Sequence, residues 1–176
     1  MEVFVLTHKN STTLDNCLES LVNLGYEPNV TYGYTKEEHF KNYQICYSSF
    51  RDKILPRAMD VDKDLLYVED DTILNEPIPK MDKDLNFLGY YEIRATGIVG
   101  ANIVYIKKEL FPLLKNEMDK YCSQHLDRYL SKFCERNNIH FGLVEYDWNE
   151  VPHISMNTNK VRNHRKVLPQ KLVSIV

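Results

Sequence analysis

KDLLYVEDDTIL (residues 63–74) sets four apolar residues, Leu65 to Val68, directly before three acids, Glu69, Asp70 and Asp71. An unbroken apolar run of this length predicts a buried strand. The acids then fall where that strand leaves the core. Neighbouring carboxylates repel, and burying one is costly unless something pairs with it.

Outward from this stretch the chain alternates between two periodicities. EVFVLTH (2–8) is β-branched and aromatic and predicts a first strand. STTLDNCLESLVNLGY (11–26) carries Leu14, Leu18, Leu21 and Val22 at helical spacing, with Ser11 to Thr13 as N-caps and Gly25 as a stop. NVTYGY (29–34) predicts a second strand. KNYQICYSSFRDKILPRAM (41–59) predicts a helix that Pro56 kinks or ends. DLLYVED (64–70) is then the third strand. LNEPIPKMDKD (74–84) reads as loop, because Pro77 and Pro79 exclude a central strand. LNFLGYY (85–91) and GANIVYIKK (100–108) predict two more strands around a glycine-rich turn. Helices are expected over 108–122 and 123–138, a last strand over HFGLVEY (140–146), and irregular chain beyond.

Strands alternating with helices predict an α/β domain with a mostly parallel central sheet flanked by helices. Ligands of such sheets sit beyond the carboxyl ends of the strands. The acidic triplet stands at one of those ends.

A length of 176 residues suits one domain with a sizeable core: an α/β core over 1–150 and a tail over 151–176. Residues 1–150 hold all 25 acids and 17 of the 22 lysines and arginines. The tail holds Lys160, Arg162, Arg165, Lys166 and Lys171 with no acid, either a partner for phosphate, for nucleic acid or for the acidic triplet itself, or simply a solvated terminus. It has no aromatic residue after Trp148, which argues against a stacking surface for single-stranded nucleic acid. No apolar run approaches a membrane span, and MEVFVLTHKN lacks a secretory pattern, so a cytoplasmic location is expected. Cys17, Cys46, Cys122 and Cys134 form no C-x-x-C pair, which predicts reduced, mostly buried thiols.

On extended backbone Glu69 and Asp71 share one face and Asp70 takes the other. Converging carboxylates suit a hard cation such as Mg²⁺ or Mn²⁺, whereas a solvated charged turn needs none.

The pattern of an apolar strand, E-D-D and then a hydroxyl or apolar residue resembles the signature of GT-A fold (Rossmann-like) glycosyltransferases. It is most similar to the family of lipopolysaccharide glycosyltransferases and collagen galactosyltransferases. YQICYSSFRDKIL (43–55) resembles that family's G-C-x-x-S-H-x-x-x-W helix, with Cys46 and Ser49 in corresponding places. It departs at Tyr43 and at Ser48–Ser49–Phe50. GANIVYIKKELFPLL (100–114) resembles its G-x-x-A-Y-L-I-S-x-x-A-A-x-x-L segment, and HLDRYL (125–130) its P-V-D-x-x-L.

The resemblance implies a metal-dependent glycosyltransferase that moves a sugar from a UDP- or GDP-sugar donor to an acceptor hydroxyl with inversion. Asp71 is then the direct metal ligand. Glu69 holds the ribose, the metal or its waters, and Asp70 reaches the ribose or the sugar. His153 is the expected late ligand, with His164 the alternative. Thr7 and His8 fall where the base and ribose are met. Arg51 pairs with the diphosphate or with the triplet, and Asn102, near Gly97 and Gly100, is a sugar contact. Asp127 is the general base that removes the acceptor proton. The basic tail closes on the donor.

The acceptor is left open between a glycan, a protein and a modified DNA base, the last used by some virus-encoded glycosyltransferases. The alternatives are a retaining glycosyltransferase, another nucleotide-sugar enzyme such as a nucleotidyltransferase, and a non-catalytic nucleotide- or carbohydrate-binding module. THKNSTT (7–13) contains no glycine, which counts against the nucleotidyltransferase.

Overall fold

The computed structural model describes residues 1–8, 11–34, 45–88, 92–93, 99–100, 102–121, 125–144 and 146–150. Four strands are buried along nearly their whole length: β1 (Glu2–His8), β3 (Leu65–Glu69), β5 (Leu85–Leu88) and β8 (Ile103–Ile106). With β2 (Pro28–Tyr34) and β9 (Phe141–Val144) they form a six-stranded sheet in the order β2-β1-β3-β8-β5-β9. Only β8 runs against the rest: β1 is parallel to β2 and β3, and β5 is parallel to β9. The expected mostly parallel α/β sheet is the observed one.

A sheet covered on both faces needs strands that are apolar throughout, and the period of two then sorts their side chains. Phe4, Leu6, Leu65, Tyr67, Phe87 and Val104 face one core. Val3, Val5, Leu66, Val68, Leu88 and Ile103 face the other. The first core is closed by four helical segments: α2 (Ile45–Ser49), α3 (Leu55–Val61), α4 (Phe111–Lys120) and α5 (Leu126–Arg136). The second is closed by α1 (Leu14–Asn23), through Leu14, Cys17 and Leu21, together with Leu74, Val144 and Tyr146.

Three expectations are corrected. The helix predicted over 41–59 widens into a π-helical segment, Phe50–Ile54, between α2 and α3. Pro56 does not end the helix. It sits in the first turn of α3, where its missing N–H costs nothing. The chain turns out of α3 at Asp62, in the left-handed conformation (φ 55°). The loop predicted from residue 74 is preceded by a short strand, β4 (Thr72–Leu74), and the irregular chain beyond 146 contains another, β10 (Trp148–Glu150). These two pair antiparallel as a separate ribbon. A further ribbon, β6 (Glu92–Ile93) with β7 (Val99–Gly100), lies between β5 and β8 in sequence.

Cys17 and Cys134 are free and buried, as expected of reduced thiols. Burial pushes the Cys134 thiol up to about 12. The side chain of Cys46 and all of Cys122 lie outside the described residues. Among the described residues no helix is long and apolar enough to cross a membrane.

Candidate functional site at the carboxyl edge of the sheet

The strand directions bring one set of residues to a single edge. Leu6 of β1 pairs with Glu69 of β3, and Val68 pairs with Ile103, the first residue of β8. Thr7 and His8, the acidic triplet and Asn102 therefore all leave the sheet on the side where its parallel strands end. Glu69 ends β3, Asp70 and Asp71 form the turn to β4, and all three are half-buried.

Each of the last two acids is held by a neutral donor from a neighbouring strand. Thr7, 0% exposed, donates its hydroxyl proton to Asp70 Oδ2 at 2.5 Å. Asn102 grips the turn twice. Its carbonyl accepts the Glu69 N–H at 2.9 Å, and its Nδ2 donates to Asp71 Oδ1 at 3.3 Å. Asp70 is thus tied toward β1 and Asp71 toward β8. Their charges still reach inward. The Cys17 thiol, whose Sγ lies 3.7 Å from the Glu69 carbonyl, is pushed up to about 12 by burial and further by Asp70 and Asp71.

The β1–β2 side of the edge carries an irregularity. The register shifts between Thr7 and His8, so that Thr7 pairs with Tyr32 and His8 with Tyr34, and Gly33 bulges out. Ser49 Oγ donates to the Gly33 carbonyl at 3.0 Å, and Lys53 Nζ donates to the Tyr32 and Gly33 carbonyls at 3.0 and 3.3 Å. A Cβ at Gly33 would meet Leu6 Cδ1 at 2.5 Å and Ser49 Oγ at 2.7 Å. Ser49, singled out in the sequence by resemblance alone, has a local physical task here: it clamps the bulged end of β2.

The β4–β10 ribbon leads a distant part of the chain to the same place. Trp148 pairs with Leu74, and Glu150 with Thr72, the residue after Asp71. Leu74 N–H donates to Ser20 Oγ of α1 at 3.1 Å, and the Tyr146 hydroxyl donates to the Glu76 carbonyl, so the Leu74–Trp148 end of the ribbon is pinned. The described chain ends at Glu150. His153, His164 and the basic tail lie outside the described residues, as does Gly97.

Asp127 stands in the first turn of α5. That helix leads back to the start of β9, which is parallel to β5, so its N-terminus lies at the carboxyl edge. It also touches β7, two residues before Asn102. Asp127 Oδ1 accepts the Arg128 N–H at 2.6 Å. Among the described residues, none of its hydrogen bonds reaches the triplet.

Among the described residues Arg51 pairs with its neighbour in sequence and not with the triplet. Its guanidinium binds the Asp52 carboxylate through Nε at 2.6 Å and through a terminal nitrogen at 2.8 Å. That bond raises the Arg51 pKa further, and it holds the Asp52 carboxyl below its usual range. An acid at the very next position was a local signal for this pairing.

Carboxylate oxygens are the donors a hard divalent cation takes, with one or two carboxylates plus substrate phosphates sufficing for Mg²⁺. Among the described residues no three His, Cys, Asp or Glu side chains gather into a complete cage. Asp70 and Asp71 amount to that smaller kind of donor set.

No protein-family model matches the chain, and no curated protein matches it. Among solved structures it is similar to A197 from STIV, at 12% sequence identity and a TM-score of 0.53, over 97% of this chain and 99% of that one. A looser likeness is to a glycosyltransferase involved in the glycosylation of the major capsid of PBCV-1. There the identity is 11% and the TM-score 0.39, over 68% of this chain and 66% of that one. The first likeness shows a shared fold along nearly the whole chain; the second is too distant to add to it.

Proposed function

We propose that the chain is a metal-dependent glycosyltransferase whose nucleotide-sugar donor binds at the acidic turn. The observation that carries this reading is the pair Asp70 and Asp71. Two carboxylates stand at the carboxyl edge of a mostly parallel sheet, each fixed by a neutral hydroxyl or amide. Neutral donors such as the Thr7 hydroxyl and the Asn102 amide orient a carboxylate without bringing an opposite charge to it, which suits a cation site. The E-D-D resemblance supports the same reading, as does the position of this edge, where open α/β sheets take their ligands.

Asp71 is the proposed direct ligand, with Glu69 at the metal, its waters or the ribose. A bound Mn²⁺ or Mg²⁺ would supply charge to offset the negative charge developing on the departing diphosphate. His153 is the proposed late ligand, and the register of the ribbon favours it. Glu150 lies opposite Thr72, and three extended residues span at most about 10 Å. The basic tail begins at the same point and would meet the phosphates. Asp127 would take the proton from the acceptor hydroxyl, giving inversion. The N-terminus of α5 lies on the correct edge for that task.

The acceptor is a glycan, a protein or a modified base. A panel of UDP- and GDP-sugars incubated with Mn²⁺ and the full chain tests the proposal. Slow donor hydrolysis that EDTA stops is expected. A chain that hydrolyses none of the donors and binds none of the nucleotides would remove the donor-site reading.

A further inference from the structure

The hydroxyl of Thr7 has a single proton, and the fold has already assigned it. Thr7 is completely buried, so water cannot satisfy it, and the proton goes to Asp70 Oδ2 at 2.5 Å. The other acceptor in reach, the His8 carbonyl, is at 3.3 Å and cannot compete with a charged oxygen. A hydroxyl committed in this way cannot also donate to a nucleobase, although the family resemblance implies a base or ribose contact there.

The surroundings make the commitment rigid. Thr7 is the last residue before the β1–β2 register shift, at an edge clamped by Ser49 and Lys53 on the Gly33 bulge. Asp70 follows the last registered β1–β3 pair, Leu6 with Glu69. One carboxylate oxygen of Asp70 is therefore anchored inside the fold against β1. Asp71 is drawn the other way, toward Asn102.

We propose that Thr7 is a positioning residue that acts through Asp70: it keeps the two carboxylates divergent and presents Asp70 to the metal–nucleotide complex by one oxygen only. This rests on the reading of the acidic turn as the donor site. Without the hydroxyl, Asp70 loses its anchor, and its other oxygen is no longer held toward the metal–nucleotide complex. The loss falls on the metal–diphosphate portion of the ligand. It is therefore the same whichever base the nucleotide carries.

The test is calorimetric titration of the full chain with UDP and with GDP, each with Mn²⁺ and in EDTA. Mn²⁺ occupancy is followed independently by electron paramagnetic resonance. The variants are Thr7→Val, Thr7→Ser, Asp70→Asn and the Thr7→Val/Asp70→Asn pair. Thr7→Val should weaken both nucleotides by one common factor, about the 10–100-fold seen when a group orienting a metal site is removed. The effect should vanish in EDTA. Thr7→Ser, which keeps the hydroxyl, should restore affinity. Asp70→Asn alone should reproduce the loss, and Thr7→Val should add nothing to it.

A Thr7→Val chain that binds both nucleotides as the parent does would overturn the proposal. So would a loss confined to one base, or one that persists in the Asp70→Asn background. If Thr7→Val does not fold, Asp70→Asn decides: an unchanged affinity there also overturns it. A parent chain that binds neither nucleotide with Mn²⁺ removes the donor-site reading and this inference together. A parent that binds while Thr7→Val matches it removes the inference alone.

Discussion

Gly33→Ala should destabilise the protein although it adds only one methyl group to an edge strand. The added Cβ would lie 2.5 Å from Leu6 Cδ1 and 2.7 Å from Ser49 Oγ, closer than real Cβ atoms approach their neighbours. Neither neighbour yields easily. Leu6 is packed in the core beneath the sheet, and Ser49 is buried while donating to the Gly33 carbonyl. Forcing a methyl into a packed site costs about 1–3 kcal/mol. Loss of the Ser49 bond adds about 1 kcal/mol. Restricting the unfolded chain returns about 0.4–1 kcal/mol. The net expectation is a loss of about 1–3.6 kcal/mol, which for a domain of this length lowers Tm by roughly 2–14 °C. Urea unfolding followed by circular dichroism measures it, with an unchanged m-value. A variant as stable as the parent would mean that β2 does not bulge against Ser49 at this point.

Two further outcomes follow from other parts of the structure. Asp127→Asn should lower transfer by about 10²–10⁴-fold while donor affinity stays constant, and product NMR should show inverted configuration; a retained configuration would remove Asp127 from the chemistry. Tyr105→Phe should cost about 1.5–3 kcal/mol at neutral pH, because the Tyr105 hydroxyl donates to Asp64 Oδ2 at 2.5 Å. Burial alone would raise the Asp64 pKa, but that bond and the Lys108 N–H, at 3.1 Å, outweigh it and hold the carboxyl below its ordinary value. A carboxyl depressed in the folded state contributes stability above its unfolded pKa and loses it as the pH falls through the folded one. Unfolding curves between pH 7 and pH 2 should therefore be flatter in Tyr105→Phe, and parallel curves would contradict the pairing.

The central sheet was legible in the sequence because its four inner strands are buried on both faces, and an apolar run such as Leu65–Val68 has few other uses. The short strands were not. Thr72–Leu74 and Trp148–Glu150 are three residues each, and what makes them strands is mutual pairing across more than 70 positions, which leaves no local trace. The π-helical opening before Pro56 was hidden for a related reason. A proline announces a break, but packing of Phe50 and Ile54 into the core decides where it falls. At the site, the acids were legible as chemistry and their partners were not. Thr7 meets Asp70 and Asn102 meets Asp71 only because β3 lies between β1 and β8, an order that the sequence does not spell out. Ser49 shows the converse: a resemblance marked the residue, and its hydrogen bond to Gly33 supplied the reason.

The most direct measurement of the central claim is the affinity of the full chain for UDP and GDP, by titration calorimetry with Mn²⁺ and then in EDTA, alongside Asp71→Asn. The account predicts binding of at least one nucleotide that requires the cation. Asp71→Asn should abolish that binding while the thermal midpoint stays close to that of the parent. Equal affinity with and without the cation, or an Asp71→Asn chain that binds as the parent does, would contradict it.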